Sequence, residues 1–209
     1  MRVIAIDGPA GSGKSTIARH LASQLGVAYL DTGAMYRAVA FAALRRGVDP
    51  SEASLVAALV RDLELHVGPE GVVVDGVDAT VEIRGPEVTR AVSAVASNPA
   101  VRTELVRRQR EWVATHGGAV VEGRDIGTVV FPDAELQAYL TARLDVRAGR
   151  RHQEVAELDY EAVAADMARR DTVDTERDVD PLQQAGDAVL IDTSDRSIDE
   201  IVADLMERL

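Results

Sequence analysis

Cysteine does not occur among these 209 residues. Its absence excludes a disulfide framework, a thiolate zinc site and a cysteine nucleophile together. No apolar run approaches the ~18 residues of a membrane helix. The first residues, Arg2-Val3-Ile4-Ala5-Ile6-Asp7, read as a short buried strand and not as a signal peptide. A cytoplasmic protein without a membrane partner is therefore expected. Positive charge is also short, with a formal net charge of −12. A general nucleic-acid binder carries the opposite balance, because phosphate neutralisation supplies most of its affinity. Nucleic acid is thus not an expected partner, and a monomer is. Scarcest of all is lysine. The only one is Lys14, and every other basic side chain is arginine.

What is present is enough for a folded domain: 46% of residues are apolar and 28% are charged. The single lysine stands in Gly8-Pro9-Ala10-Gly11-Ser12-Gly13-Lys14-Ser15, a G-x-x-x-x-G-K-S loop, followed by Thr16. A β-branched strand precedes the loop, and a helix with Ile17, Leu21 and Leu25 on one face follows it. In that context the loop's backbone N–H groups, within Gly8–Thr16, form an anion nest at a helix N-terminus, Pro9 alone having none to give. Lysine reaches the β- and γ-phosphates of a nucleoside triphosphate, and Ser15 contacts Mg²⁺. Arginine's wide planar fork is a poor substitute in so narrow a cradle. A guanine-reading Asn-Lys-x-Asp motif would need a second lysine, and no Asp-x-x-Gly follows the loop, so a GTPase is excluded in favour of a small-molecule kinase.

Further along, Val27–Leu30 reads as a strand, residues 34–46 as a helix, and Asp49-Pro50-Ser51 as the start of another helix running to about Leu63. Between about 64 and 84, Val67, Val72-Val73-Val74 and glycines 68, 71 and 76 predict small β-hairpins. Helices are expected at 86–97 and 99–115, strands at 119–122, 136–140 and 188–192, a charged, mostly helical stretch at 144–177, and a closing helix at 198–209. Strands alternating with helices argue for a parallel sheet covered on both faces. The fold expected is α/β, a P-loop NTPase-type five-stranded parallel sheet flanked by helices. The glycine loop then lies at the sheet's carboxyl edge, where such folds bind ligands.

Three further stretches carry chemistry. Asp31-Thr32-Gly33-Ala34-Met35-Tyr36-Arg37 puts Arg37 one helical turn past a strand end, within reach of a second phosphate, although a solvated helix arginine is an equal reading. Val121-Glu122-Gly123-Arg124-Asp125-Ile126-Gly127-Thr128 ends a buried strand in a carboxylate, where Glu122 can orient Mg²⁺-bound water. Six arginines, including Arg147, Arg150, Arg151, Arg170 and Arg177, fall between 147 and 177. Alternating charge there usually means a solvated helix, the better reading for Arg169, Glu176 and Asp178. The density still suits a closing phosphate lid. Trp112 reads as core, and the four histidines lack ligand spacing.

These motifs, with Ala91–Ala96, Val101-Arg102, Arg107-Arg108-Gln109-Arg110 and the run from Gly123 to Asp133, occur in an order that resembles the bacterial cytidylate (CMP/dCMP) kinases over essentially the whole chain. Thr32 and Thr175 stand where many relatives have serine, and both keep the hydroxyl. The resemblance implies a single kinase domain spanning 1–209. Its core would comprise 1–30, 99–146 and 178–209, with a monophosphate-binding subdomain at 31–98 containing the hairpin insert, and a short helical lid at 147–177. It implies transfer of phosphate from ATP, with Mg²⁺, to CMP and dCMP. Ser93, Arg102 and Asp125 are assigned to cytosine, Arg37 and Arg124 to the monophosphate, and Thr32 to the CMP site. Arg170 and Asp174 are assigned to phosphate and sugar, and Arg177 to the lid's charge clamp. Lys14, Arg124, Arg170 and Arg177 would be the catalytic cations. The base assignment is chemically sound: a guanidinium answers cytosine O2 and N3, and a carboxylate accepts from the N4 amino group. The rival readings are a sister kinase acting on UMP, AMP or shikimate, and a nucleotide-binding regulator without transfer activity. The Asp125–Arg102 pair has no purpose for shikimate, and a regulator needs neither an acceptor-phosphate set nor a lid.

Overall fold

Apolar runs punctuated by glycine become alternating strands and helices in the computed structural model, which describes residues 1–154 and 159–209. Along the chain these are β1 (Arg2–Asp7), α1 (Lys14–Leu25), β2 (Ala28–Asp31), α2 (Thr32–Arg45), α3 (Ala53–Asp62), β3 (Leu65–Gly68), β4 (Gly71–Val74), β5 (Val77–Asp78), α4 (Pro86–Ala96) and α5 (Pro99–Thr115). They continue with β6 (Gly118–Gly123), β7 (Leu136–Thr141), α6 (Leu144–Glu154), α7 (Tyr160–Glu176), β8 (Val189–Asp192) and α8 (Ile198–Met206). Of the expected lid, residues 155–158 lie outside the described residues.

The expected five-stranded sheet forms in the order β2-β6-β1-β7-β8, and the pairs β1–β6, β1–β7 and β7–β8 run parallel. The hairpins also form, as the antiparallel sheet β3-β4-β5. Two boundaries differ from expectation for a local reason. The Asp31 carboxylate accepts from Ala34 N at 2.9 Å, so α2 starts at Thr32 and not at 34. The Asp49 carboxylate accepts from both the N–H and the hydroxyl of Ser51, a turn that competes with helix, so α3 begins only at Ala53.

Two compact units divide the chain: Met1–Ala28 with His116–Leu209, and Tyr29–Thr115. In the first, β1 is central and its Ile4, Ala5 and Ile6 are fully buried. Helix α1 lays Ile17, Ala18 and Leu21 against β1, β6 and α8. The sheet's carboxyl edge therefore brings together Asp7 and Gly123, which end β1 and β6, beside Tyr139 of β7.

In the second unit, α2 packs on α4 and α3 on α5. Helix α5 acts as its tie-bar. Arg108 donates to the carbonyls of Val60, Arg61 and Leu63 at the end of α3, supplying donors to a helix end that otherwise has none. Trp112 Nε1 donates to Val67 O in β3 at 2.9 Å, so the indole is a half-buried strut between α5 and β3 and not the core residue expected.

Glu104 holds both Arg107 and Arg108 at 2.6 Å. The Arg107 hydrogen bond is the main cause that holds its carboxyl down to about 2, against an ordinary 4.5. A depressed carboxyl pKa gives stability that is complete above the unfolded value and is lost as pH falls through the folded one. Glu104→Gln should therefore lower urea stability at neutral pH. The gap to the unsubstituted chain should shrink steadily between pH 4.5 and about 2. A gap that does not change over that range would mean the ion pairs contribute nothing.

Candidate functional site

The glycine loop between β1 and α1 is built by its neighbours as much as by its own glycines. Gly8 takes φ 146°, and a Cβ there would run into the Leu140 carbonyl oxygen of β7. Gly13, at the mouth of α1, takes φ 86°. Four consecutive loop carbonyls accept from side chains. Lys14 Nζ donates to Pro9 O at 2.7 Å, Arg147 Nη1 to Ala10 O at 3.2 Å, Arg150 Nη1 to Gly11 O at 3.4 Å, and Thr193 Oγ1 to Ser12 O at 3.0 Å. A trans peptide sets each N–H opposite the preceding C=O, and no cis bond occurs among the described residues. Holding those carbonyls therefore turns the N–H groups of Ala10, Gly11, Ser12 and Gly13 away from the side chains that anchor the loop. Such a concave row of amides at a helix N-terminus is an anion nest.

Arg147 and Arg150, candidates for lid cations in the sequence, thus brace the loop. Arg147 also donates to Ala142 O at 2.9 Å and pairs with Asp171 of α7 at 2.6 Å. Arg150 also grips Thr193 through its hydroxyl and carbonyl. Arg169 makes only an exposed pair with Asp166, the solvated-helix arrangement expected of it.

A charged cluster surrounds Lys14, which is 6% exposed. Burial, and then the nearby Arg124 guanidinium, push its ammonium well below the ordinary lysine range, while Glu122, Asp7 and Asp174 pull it back. Glu122, buried at the end of β6, is one of the flanking carboxylates. Arg124 Nε donates to Asp174 Oδ2 at 2.7 Å. Burial opposes the Arg124 charge, but Asp174, Glu122 and Asp171 more than restore it. Asp174 is held below the usual carboxylate range: burial raises it, and Arg124, Arg170 and Arg177 outweigh that. Burial and then Arg124 push the Arg170 pKa down, and Asp174 and Asp166 restore it only in part; among the described residues no carboxylate lies within ion-pair distance of it. Arg177 bonds the Asp180 carbonyl and stands 3.6 Å from the buried Asp125 carboxylate. Gly8–Ser15, Glu122, Arg124, Asp125, Arg170, Asp174 and Arg177 are accordingly brought together in the first unit.

One member of this cluster was missed by sequence reasoning. The Asp7 carboxylate accepts from Ile126 N and Gly127 N, both at 2.8 Å, and burial pushes its pKa up to about 6. Its only sequence signal is an acidic residue closing an otherwise apolar strand.

The second unit gathers the remaining candidates. Arg37 on α2 donates to Ile83 O at 3.1 Å and Thr89 Oγ1 at 2.9 Å. Asp31 pairs with Arg84 at 3.1 Å. Arg102, 2% exposed on α5, donates to Ala96 O and lies 5.6 Å from the centre of the Tyr36 ring, close enough for a cation–π contact. Tyr36 was quoted in the sequence motif without a role. Thr32 is buried in the first turn of α2, and Ser93 is half-buried on α4.

A parallel sheet carrying a braced glycine loop, with a buried lysine amid guanidiniums at its carboxyl edge, defines a P-loop phosphoryl-transfer enzyme. The family model described as cytidylate kinase matches residues 4–209. The chain belongs to the cytidylate kinase family. It is 49% identical over 211 residues to the cytidylate kinase of Nocardia farcinica, covering 97% of this chain and 91% of that one. Its identity to the cytidylate kinase of Mycobacterium leprae is 48%, over 98% and 94% of the two chains. Among solved structures it resembles a gluconokinase from Sinorhizobium meliloti (TM-score 0.52, 12% identity, 99% and 90% covered). It also resembles TT1252 from Thermus thermophilus (TM-score 0.50, 21% identity, 99% and 97% covered). At such identities these structures share the fold alone.

Lys14→Arg should lower turnover about 10²–10³-fold, the usual cost of one misplaced charge-stabilising contact, while leaving the thermal melt near that of the parent. Turnover within a few-fold of the parent would show that the cradle does not require a compact ammonium.

Proposed function

We propose the following division of labour for a chain that phosphorylates CMP and dCMP at the expense of ATP. Residues Gly8–Thr16 receive the ATP phosphates on the loop amides, with Lys14 at the β- and γ-phosphates. Arg37, Arg124 and Thr32 take the acceptor phosphate end, and Arg170 and Asp174 take phosphate and sugar. Asp125 accepts from the cytosine amino group, while Arg102 and Ser93 answer its acceptors. Arg177 keeps Asp125 charged and oriented, in keeping with its 3.6 Å approach. In solution the enzyme is a cytoplasmic monomer whose ligands are nucleotides and not nucleic acid, in line with its net charge of −12.

Little covalent chemistry falls to the protein in such a transfer. The side chains align two anions, neutralise the charge that develops between them and exclude water. Lys14 and Arg170 are the cations with most to gain from an arriving phosphate, because burial leaves both shifted toward losing their protons. The donor set also fits Mg²⁺. Ser15 in the first turn of α1 and Glu122 at the end of β6 offer hard oxygens, Glu122 through water. Among the described residues no cluster of three or more His, Asp or Glu side chains forms a closed cage. An ion bound chiefly by phosphates and water needs none. When held there by Ser15 and, through water, Glu122, it would supply positive charge to offset that of the phosphates.

The observation that carries the base assignment is the buried Asp125 beside Arg177 at the ligand edge of the sheet. Uracil presents a carbonyl where cytosine has its amino group, so Asp125 would face an acceptor with no proton between them. A coupled assay across CMP, dCMP, UMP and AMP tests the acceptor. With Asp125→Asn, whose amide can donate to a carbonyl, the CMP/UMP ratio in kcat/KM should fall by about 10²-fold or more. An unchanged ratio would remove Asp125 from base recognition.

A further inference from the structure

The Asp7 carboxylate has been given no part in the reaction, yet it uses both oxygens on one short stretch of main chain. We infer that Asp7 is a positioning residue of the acceptor site, holding the turn after β6 so that Asp125 can read the base. This rests on the base-reading role proposed above.

Three features support it. The Ile126 and Gly127 amides, the first and second after Asp125, each donate to a different Asp7 oxygen at 2.8 Å. The Asp125 carbonyl accepts in turn from Val129 N at 2.9 Å and Val130 N at 3.2 Å. The backbone on the C-terminal side of Asp125 is thus pinned in two directions, with its carbonyl drawn into the Ile126–Val130 turn and the next two amides drawn to β1. Third, the Gln137 side chain of β7 lies against Gly127, within 2.6 Å of where a Cβ would stand, so the turn is also packed on its β7 side. Burial raises the Asp7 carboxyl while the two amides lower it, consistent with an anion retained for those two bonds. Asp7 is also the residue immediately before Gly8, so the strand that launches the ATP-binding loop ends in the group that fixes the acceptor turn.

Asparagine at this position keeps the shape but supplies one acceptor and one NH₂, so one of the two amides must lose its partner. Asp7→Asn should therefore raise the KM for CMP about tenfold and lower the CMP/UMP ratio in kcat/KM by a similar factor, each equivalent to one lost hydrogen bond. The KM for ATP should stay within about twofold, or fall, because removing a carboxylate near Lys14 leaves that ammonium freer for phosphate. A merely structural carboxylate would lower the melting temperature and depress both substrates alike, with the ratio preserved; that result overturns the proposal. So does an unchanged ratio in Asp7→Asn when Asp125→Asn lowers it. If neither variant moves the ratio, the base reading itself fails and this inference falls with it. Should Asp7→Asn not fold, amide exchange in the unsubstituted chain decides. Ile126 and Gly127 should be protected about a hundredfold or more without nucleotide, and free exchange there would overturn the proposal.

Discussion

An ammonium and several guanidiniums are packed against the end of one sheet, where taking each ion out of water costs several kcal/mol. The arrangement holds only because carboxylates are buried among them. Asp7, Glu122, Asp125 and Asp174 interleave with Lys14, Arg124, Arg170 and Arg177. The balance is incomplete in a revealing way. Arg124 and Asp174 stabilise one another's charged forms, whereas Lys14 and Arg170 remain shifted toward losing their protons. Burial is the first cause of both shifts, and it pushes Asp7 the opposite way, up to about 6. An anion beside Lys14 and Arg170 would offset a desolvation cost already borne during folding.

The loop that receives the phosphates depends on residues far along the chain. Its carbonyls are held by Arg147, Arg150 and Thr193, and Arg147 is itself paired to Asp171 on α7. Met167 of the same helix would meet a Cβ on Gly11 and packs with Ala148, Val163 and Ala10. The loop and α7 consequently share one brace and one apolar contact, so a displacement of α7 would be felt at the Ala10 carbonyl.

Much of this architecture was legible in the sequence because period and punctuation are local signals. The strand–loop–helix unit, the hairpins and the apolar stripe of α8 follow from apolar spacing and glycine position alone. The glycine loop and the Gly-Arg-Asp turn were equally plain, since their chemistry demands particular residues at adjacent positions. What could not be read were partnerships across long stretches of chain. Asp7 meets Ile126 more than a hundred residues away, and Arg150 meets Thr193. A carboxylate ending a strand looks the same whether it faces water or two amides. The arginines of α6 were ambiguous for the same reason: guanidiniums that brace carbonyls and guanidiniums that clamp phosphates have the same sequence signature. Only the fold decides which oxygen each one meets.

That ambiguity also explains why one lysine suffices. Arg108 spans three carbonyls at the end of α3, Arg147 joins two carbonyls and a carboxylate, and Arg150 bridges the loop to Thr193. Each task needs a planar fork with several donors set at fixed angles, and an ammonium would satisfy only part of it. The glycine loop poses the opposite problem. Its cation reaches back along the loop's main chain on a thin stem to the Pro9 carbonyl at 2.7 Å. So narrow a cradle admits a small rotating head more readily than a rigid plate. Arginine thus serves where several acceptors must be spanned at once, and the single lysine where space admits only a compact ammonium.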